Sequence, residues 1–213
     1  MERLLCIVIG YFFGLIQTGY IYGRLNNIDI REYGSGNLGT TNALRVLGKK
    51  AGVITYIGDC LKAIIAGLVV RLIFGESHEY MIKVLILYAG LGTVLGHNFP
   101  FYLNFKGGKG IAATSGMILS FDLRLALLGF ITFTSVGLIS KYVSLASLSL
   151  MVGFLIELII VGQILGYNVD PIYLKEIYAL GAILTGLAFY KHKDNIKRLL
   201  NGTENKFGKK TDK

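Results

Sequence analysis

Seven stretches of this chain are too apolar to sit in water, and they constrain almost everything else about it. They run from Leu4 to Leu25, Val53 to Phe74, Met81 to Leu95, Ile111 to Ser120, Leu123 to Ser140, Leu145 to Leu165 and Ile172 to Tyr190. A helix needs about 20 apolar residues to cross a hydrocarbon core roughly 30 Å thick. The backbone finds no water to bond there, so a spanning segment must satisfy its own polar groups. The expectation is an all-α integral membrane protein of about seven transmembrane helices, folded as a single polytopic domain over residues 1–213. Charge agrees: Asp, Glu, Lys and Arg make up 16% of the residues, where soluble domains carry about 25%. Soluble, disordered and collagen-like classes are excluded.

The runs are not equivalent. The first is too long for a signal-peptide core and shows no small-x-small site before Arg24, so it is expected to remain as a span. The fourth has only about ten residues, too few for a full crossing unless its flanks extend it, and a half-helix or re-entrant piece is the alternative. Cys6 and Cys60 lie inside apolar runs, which fits small core residues and not a disulfide framework.

Cation counting orients the spans, because positively charged loops stay cytoplasmic. Alternate connections, with a tail from 191 to 213, gather sixteen Lys and Arg on one side; the other side holds five, and Lys62 lies within a span. The N-terminus is therefore expected outside and the basic 191–213 tail in the cytoplasm. The net charge of +9 is spread over these loops without the aromatic-basic clustering of a nucleic-acid module, so anionic lipid headgroups and no nucleic acid are expected as partners.

Three hydrophilic segments on the cation-rich side carry the chemistry. The first reads Tyr33-Gly34-Ser35-Gly36-Asn37-Leu38-Gly39-Thr40-Thr41-Asn42-Ala43-Leu44-Arg45. Its G-x-G-x-x-G spacing is not a dinucleotide fingerprint, since no βαβ unit can be built between spanning helices. Its glycines can still shape an anion-binding concavity, with Ser35, Asn37, Thr41 and Asn42 as added donors and Arg45 gripping a phosphate bidentately. A flexible interfacial loop with a snorkelling arginine is the plainer alternative. The second segment runs from Gly96-His97-Asn98-Phe99-Pro100 to Phe105-Lys106-Gly107-Gly108-Lys109-Gly110, directly before the short fourth run. Free N–H groups and partial positive charge at a helix N-terminus suit phosphate, and Lys109 adds a full charge. It is not a Walker A loop, because Leu103 and Gly110 stand where Gly and Ser or Thr are needed. A tight turn into a helix explains the glycines equally well. In the third segment, His192, Asn195 and Leu199 share one helical face at i, i+3 and i+7; a positive-inside anchor with incidental polar residues is the alternative.

Within the spans, Asp59 and Lys62 are three apart on one face, costly enough to be functional suspects, or else a pair holding helices together. Glu157 stands alone in its run, and Ser144 is a further donor at the cytoplasmic edge. No histidines or cysteines are paired at metal-ligand spacing and there is no G-x-S-x-G elbow, so neither a metal, nor a cofactor, nor an activated-serine enzyme is expected.

Taken together these segments resemble the bacterial membrane acyl-phosphate:glycerol-3-phosphate acyltransferase family (PlsY), over nearly the whole chain. Gly34-Ser35-Gly36-Asn37-x-Gly39-x-Thr41-Asn42-x-x-Arg45 is similar to its first motif, and Gly96-His97 with Lys106-Gly107-Gly108-Lys109-Gly110 to its second. Lys191-His192-x-x-Asn195-Ile196-x-Arg198-Leu199-Leu200 is similar to its third, and Asp59-x-x-Lys62 and Tyr142 to Ser147 are further family-like stretches. Departures are Leu15 and Gln17 within a Gly-Ser-Ile-Pro pattern, Thr40 for Ala and Ala63 for Gly; they bear on helix packing more than on chemistry. The resemblance implies a bacterial inner-membrane enzyme that moves a fatty acyl chain from acyl phosphate to the 1-hydroxyl of glycerol 3-phosphate, giving lysophosphatidic acid and phosphate. It implies neither acyl-CoA nor acyl-carrier protein as donor, and makes the acyl-phosphate-forming enzyme a candidate partner.

The residues suit that reaction, since a mixed anhydride needs neither a covalent intermediate nor a metal. Ser35, Arg45, Lys109, His192 and Asn195 are expected to hold the phosphates as the catalytic set. Asn37, Asn42, Gly107, Gly108 and Ser144 are expected to complete the substrate cradle, with His97, Asp59 and Lys62 among the substrate-binding positions. A phosphorylated-metabolite transporter is the runner-up, disfavoured by the absence of an inverted repeat and by ligands gathered at one edge; a lipid-binding scaffold has only the basic tail in its favour.

Overall fold

A computed structural model describes residues 1–207 of the chain. The last cations of the basic tail, Lys209, Lys210 and Lys213, lie outside the described residues. Among the described residues nine α-helices follow in order: α1 (Glu2–Gly14), α2 (Thr18–Leu25), α3 (Thr40–Phe74), α4 (Ile82–Asn98), α5 (Ile111–Phe121), α6 (Leu123–Ser140), α7 (Val143–Ile164), α8 (Leu174–Lys191) and α9 (Lys193–Leu200). No strand occurs among the described residues. Six stretches are long and apolar enough to cross a membrane, and α5 is a seventh, shorter apolar helix. At 1.5 Å per residue its 11 residues rise only about 16 Å, half the hydrocarbon core. The all-α membrane expectation is borne out, including the short fourth segment.

Two helices differ from the sequence reading. The first apolar run is interrupted at Leu15–Gln17, between α1 and α2, although no proline stands there. Gln17, fully buried, takes over a carbonyl that the break frees and ties it to α4: its Nε2 donates to Gly14 O at 3.2 Å and to His97 O at 3.1 Å. The second run begins earlier than its apolar residues do, at Thr40, and bends at Gly48, whose φ of +85° favours glycine. The short arm before Gly48 carries Asn42 and Arg45, so half of the first motif is helix and not loop.

Small residues let the spans approach closely, the usual device where lipid offers no hydrophobic drive between helices. Gly10 and Gly14 of α1 face Ala89, Thr93 and Gly96 of α4, while Gly92 and Gly96 face the Ile7 and Tyr11 carbonyls, with no room for a Cβ on either side. Gly116 of α5 lies against Cys60 O of α3 in the same way. Helix α4 is accordingly the most enclosed span, with Val84, Leu85, Leu87 and Ala89 fully buried. Cys6 and Cys60 are both free thiols. Glu157, unpartnered in sequence, receives a long 3.5 Å hydrogen bond from the Thr132 hydroxyl of α6, while its Oε2 stays buried without a partner among the described residues.

The two ends of the bundle are stitched differently. At one, Arg3 pairs with Glu176, which also accepts from Tyr88 at 2.7 Å, and Asp122 pairs with Arg124 at 2.8 Å and Lys83 at 3.4 Å. The other end collects the three motifs.

Candidate active site

The first motif builds a loop around Asn42, on the short arm of α3. Gly34 and Gly36 have φ of +61° and +68°, and a side chain at Gly34 would strike Asn42 Oδ1. That oxygen accepts from Ser35 N at 2.9 Å, while Nδ2 donates to Tyr33 O at 3.1 Å and Ile30 O at 3.3 Å. Asn37 Oδ1 accepts from Gly39 N at 2.9 Å. Both asparagines thus shape the loop. Ser35 and Arg45 stay exposed, and neither the Ser35 hydroxyl nor the Arg45 guanidinium makes a hydrogen bond or ion pair among the described residues. Leu38 and Ile30 of this loop pack with Ala43, Ala51 and Leu103, which ties the first motif to the approach of the second.

The second motif folds back on the end of α4. Gly107 N donates to Asn98 O at 3.2 Å and Gly108 N to His97 O at 3.1 Å, so these two N–H groups are already engaged. The free donors lie one step further on. Thr114 N makes the first bond of α5, to Gly110 O at 2.7 Å, which leaves the N–H groups of Ile111, Ala112 and Ala113 without helical partners. Gly110, with φ of +82°, turns the chain into this helix. Positive potential at that N-terminus adds to the charge of Lys109 just before it.

The third motif closes over this point. Lys109 Nζ donates to Asn195 Oδ1 on α9, joining residues 86 positions apart, and Lys191 Nζ donates to Asn98 O at 3.0 Å. Asn195 Nδ2 donates to Glu204 Oε1 at 3.0 Å, and Arg198 Nε to Glu204 Oε2 at 2.8 Å. Glu204 and Lys191 therefore belong to the constellation, although the sequence reading has Lys191 only as the first residue of the third motif and assigns Glu204 no role; Glu204 sits past the helical pattern in a polar tail. Its strand of chain continues to Phe207, whose N–H donates to Lys141 O at 2.7 Å, beside the N-terminus of α7. There Ser144 Oγ is buried and has no hydrogen-bond partner among the described residues.

Two titrations follow from this packing. Burial brings Lys109 down from the ordinary lysine range to about 8, with Glu204 opposing and Arg198 reinforcing the fall. Burial, then the neighbouring Lys109, brings His192 down to about 4. His192 Nδ1 lies 2.7 Å from Ala188 O, and a carbonyl can only accept, so Nδ1 carries the proton. A neutral His192 then presents a bare acceptor at Nε2, the complement of a hydroxyl and not of a phosphate oxygen.

Asp59, Lys62 and His97 lie beneath these loops. Lys62 Nζ stands 2.8 Å from Asp59 Oδ1 and 2.8 Å from His97 Nδ1, and the three residues are at most 3% exposed.

The family model for glycerol-3-phosphate acyltransferase matches residues 4–202. The chain belongs to that acyltransferase family. A glycerol-3-phosphate acyltransferase of Alkaliphilus metalliredigens is 41% identical over 99% of both chains, and one of Aquifex aeolicus is 34% identical over 97% of this chain and all of the relative. Among solved structures, PlsY (YgiH), an integral membrane glycerol 3-phosphate acyltransferase in its glycerol 3-phosphate form, is 33% identical with a TM-score of 0.83, covering 98% of this chain and 96% of that one. Its lysophosphatidic acid form gives a TM-score of 0.82. The present acyltransferase thus shares the multi-pass membrane fold of these relatives.

Proposed function

We propose that this acyltransferase takes its acyl group from acyl phosphate, delivers it to the 1-hydroxyl of glycerol 3-phosphate, and releases lysophosphatidic acid and inorganic phosphate without forming an acyl-enzyme. The observation that carries the reading is the junction of Lys109 with Asn195: a lysine at a half-length helix N-terminus, held by the third motif, makes one anion-binding focus from distant segments. The solved relative's glycerol 3-phosphate and lysophosphatidic acid forms support the same acceptor and product here.

In this mechanism Arg45, Ser35, Lys109, Asn195 and the first N–H groups of α5 hold the two phosphates, and Ser144 completes the cradle with the loop that Gly107 and Gly108 fold. His192 Nε2 accepts the hydrogen bond of the attacking hydroxyl and aims it. The hydroxyl oxygen bonds to the acyl carbon, the bond from that carbon to the phosphate oxygen breaks, and the phosphate leaves as a stable anion. The proton ends on phosphate, whose second pKa of about 6 makes its dianion a ready acceptor beside the hydroxyl. Orientation can supply about 7 to 11 kcal/mol of the barrier, enough to make a covalent nucleophile unnecessary. Neither Ser35 nor Ser144 has a basic partner to activate it among the described residues.

Sixteen cations against five support a cytoplasmic position for this end, with the N-terminus outside, and membership of the family supports a bacterial inner membrane. Glycerol 3-phosphate and the reactive acyl phosphate would arrive from that side, the latter from the enzyme that forms it.

Purified protein in detergent, given acyl phosphate and labelled glycerol 3-phosphate, should form labelled lysophosphatidic acid, and should form none with acyl-CoA. Product from acyl-CoA alone would reject the donor. A stoichiometric burst of phosphate before glycerol 3-phosphate is added would reject direct transfer. Impermeant thiol reagent reaching a cysteine at 109 from the periplasm would reject the orientation.

A further inference from the structure

Buried ion pairs are weak devices for stability, because apolar residues of similar volume often serve as well. The Asp59 and Lys62 pair, 1% and 2% exposed, therefore calls for another explanation. Lys62 Nζ donates to Ile16 O at 2.7 Å and to Asp59 Oδ1 at 2.8 Å, with Gly14 O at 3.4 Å, so it also clasps the break between α1 and α2. Its remaining close neighbour is His97 Nδ1 at 2.8 Å. An ammonium has three protons and no lone pair, so Nδ1 must accept, and the neutral ring carries its own proton on Nε2. Nε2 lies directly under Gly108, where a Cβ would collide with it. The backbone closes the same seam, since Gly108 N and Gln17 Nε2 both donate to His97 O at 3.1 Å.

We infer that Lys62, paired with Asp59, is a positioning residue: it locks His97 as the Nε2–H tautomer beneath Gly108 and thereby holds the Lys106–Gly110 loop, with Lys109, in register. It acts through His97 and touches no substrate. The catalytic consequence rests on the role proposed for Lys109; the tautomer does not.

The test joins a spectroscopic and a kinetic arm. In 15N-histidine-labelled enzyme, the His97 signal, assigned by its loss in His97→Gln, should show a bare Nδ1 and a protonated Nε2. A protonated Nδ1 in the wild type would overturn the inference, whatever the variants do. The double variant Asp59→Asn/Lys62→Met removes both charges while leaving no orphan ion behind. It should fold, lose the fixed tautomer, and lose about ten- to a hundredfold in kcat, the scale of an ångström-size misplacement, with KM for glycerol 3-phosphate changed less than about threefold. Wild-type kcat in a folded double variant would also overturn the inference. Wild-type protein inactive with acyl phosphate, but showing the expected tautomer, would instead sink the proposed donor.

Discussion

Lys109→Arg should abolish an alkaline limb that the wild-type enzyme displays. Burial at the start of α5 lowers Lys109 from about 10.4, the ordinary lysine value, to about 8. At 1.36 kcal/mol per pH unit, the site disfavours the empty ammonium by about 3 kcal/mol. A bound phosphate dianion offsets that penalty, so the effect belongs to the free enzyme and appears in kcat/KM. Phosphate binding needs the ammonium; kcat/KM for glycerol 3-phosphate should therefore fall toward tenfold per pH unit above about 8, while kcat persists to higher pH. Arginine stays charged throughout, so Lys109→Arg should give a lower plateau with no such limb. Phosphate release from acyl phosphate, corrected for spontaneous hydrolysis and followed between about pH 6 and pH 10, reads both quantities. An identical alkaline limb in Lys109→Arg, or a flat wild-type profile to the top of that range, would refute the reasoning. The linkage sign supplies a second check. Because the folded-state pKa is the lower one, the destabilisation is complete below about 8 and relieved as pH rises toward about 10.4. Lys109→Met should thus raise the Tm at neutral pH while eliminating turnover, the gain reduced by about 1 kcal/mol for the Asn195 Oδ1 left without its donor.

Arg45→Lys keeps the charge but loses the guanidinium fork, and should reduce kcat/KM by about a hundredfold or more, with the protein still folded by Tm; near-normal turnover would remove Arg45 from the phosphate contacts. Asn42→Ala deletes three hydrogen bonds at a position 2% exposed and should destabilise by about 1–3 kcal/mol, seen as a lower thermal midpoint in detergent together with loss of the Ser35 geometry and of activity. Gly92→Leu drives a side chain into the Ile7 carbonyl and should prevent α1 from docking on α4, giving aggregated protein on size-exclusion chromatography; a monodisperse, active variant would contradict the packing described.

A bilayer makes the linear sequence unusually legible. Hydrocarbon thickness fixes the length of each apolar run, and lysine and arginine counts sort the connections, so the all-α bundle, its short α5 and the gathering of three polar motifs could be read without coordinates. Ser35, Arg45, Lys109, His192 and Asn195 stood out as candidates for the same reason: polar and charged groups are costly near lipid. Tertiary structure decided everything that depends on direction. It ended α1 at Gly14, because Gln17 and Lys62 could satisfy carbonyls there without a proline. It turned the Gly107 and Gly108 N–H groups back onto α4 and left the donors of α5 free. It gave His97 and His192 opposite tautomers, one accepting at Nδ1 from an ammonium and the other donating from Nδ1 to a carbonyl. It also brought Glu204 to Asn195 and Arg198. The physical reason is common to all four: hydropathy is a property of a run of residues, whereas a hydrogen bond is set by the orientation of two groups, many of which meet only when helices distant in sequence are packed.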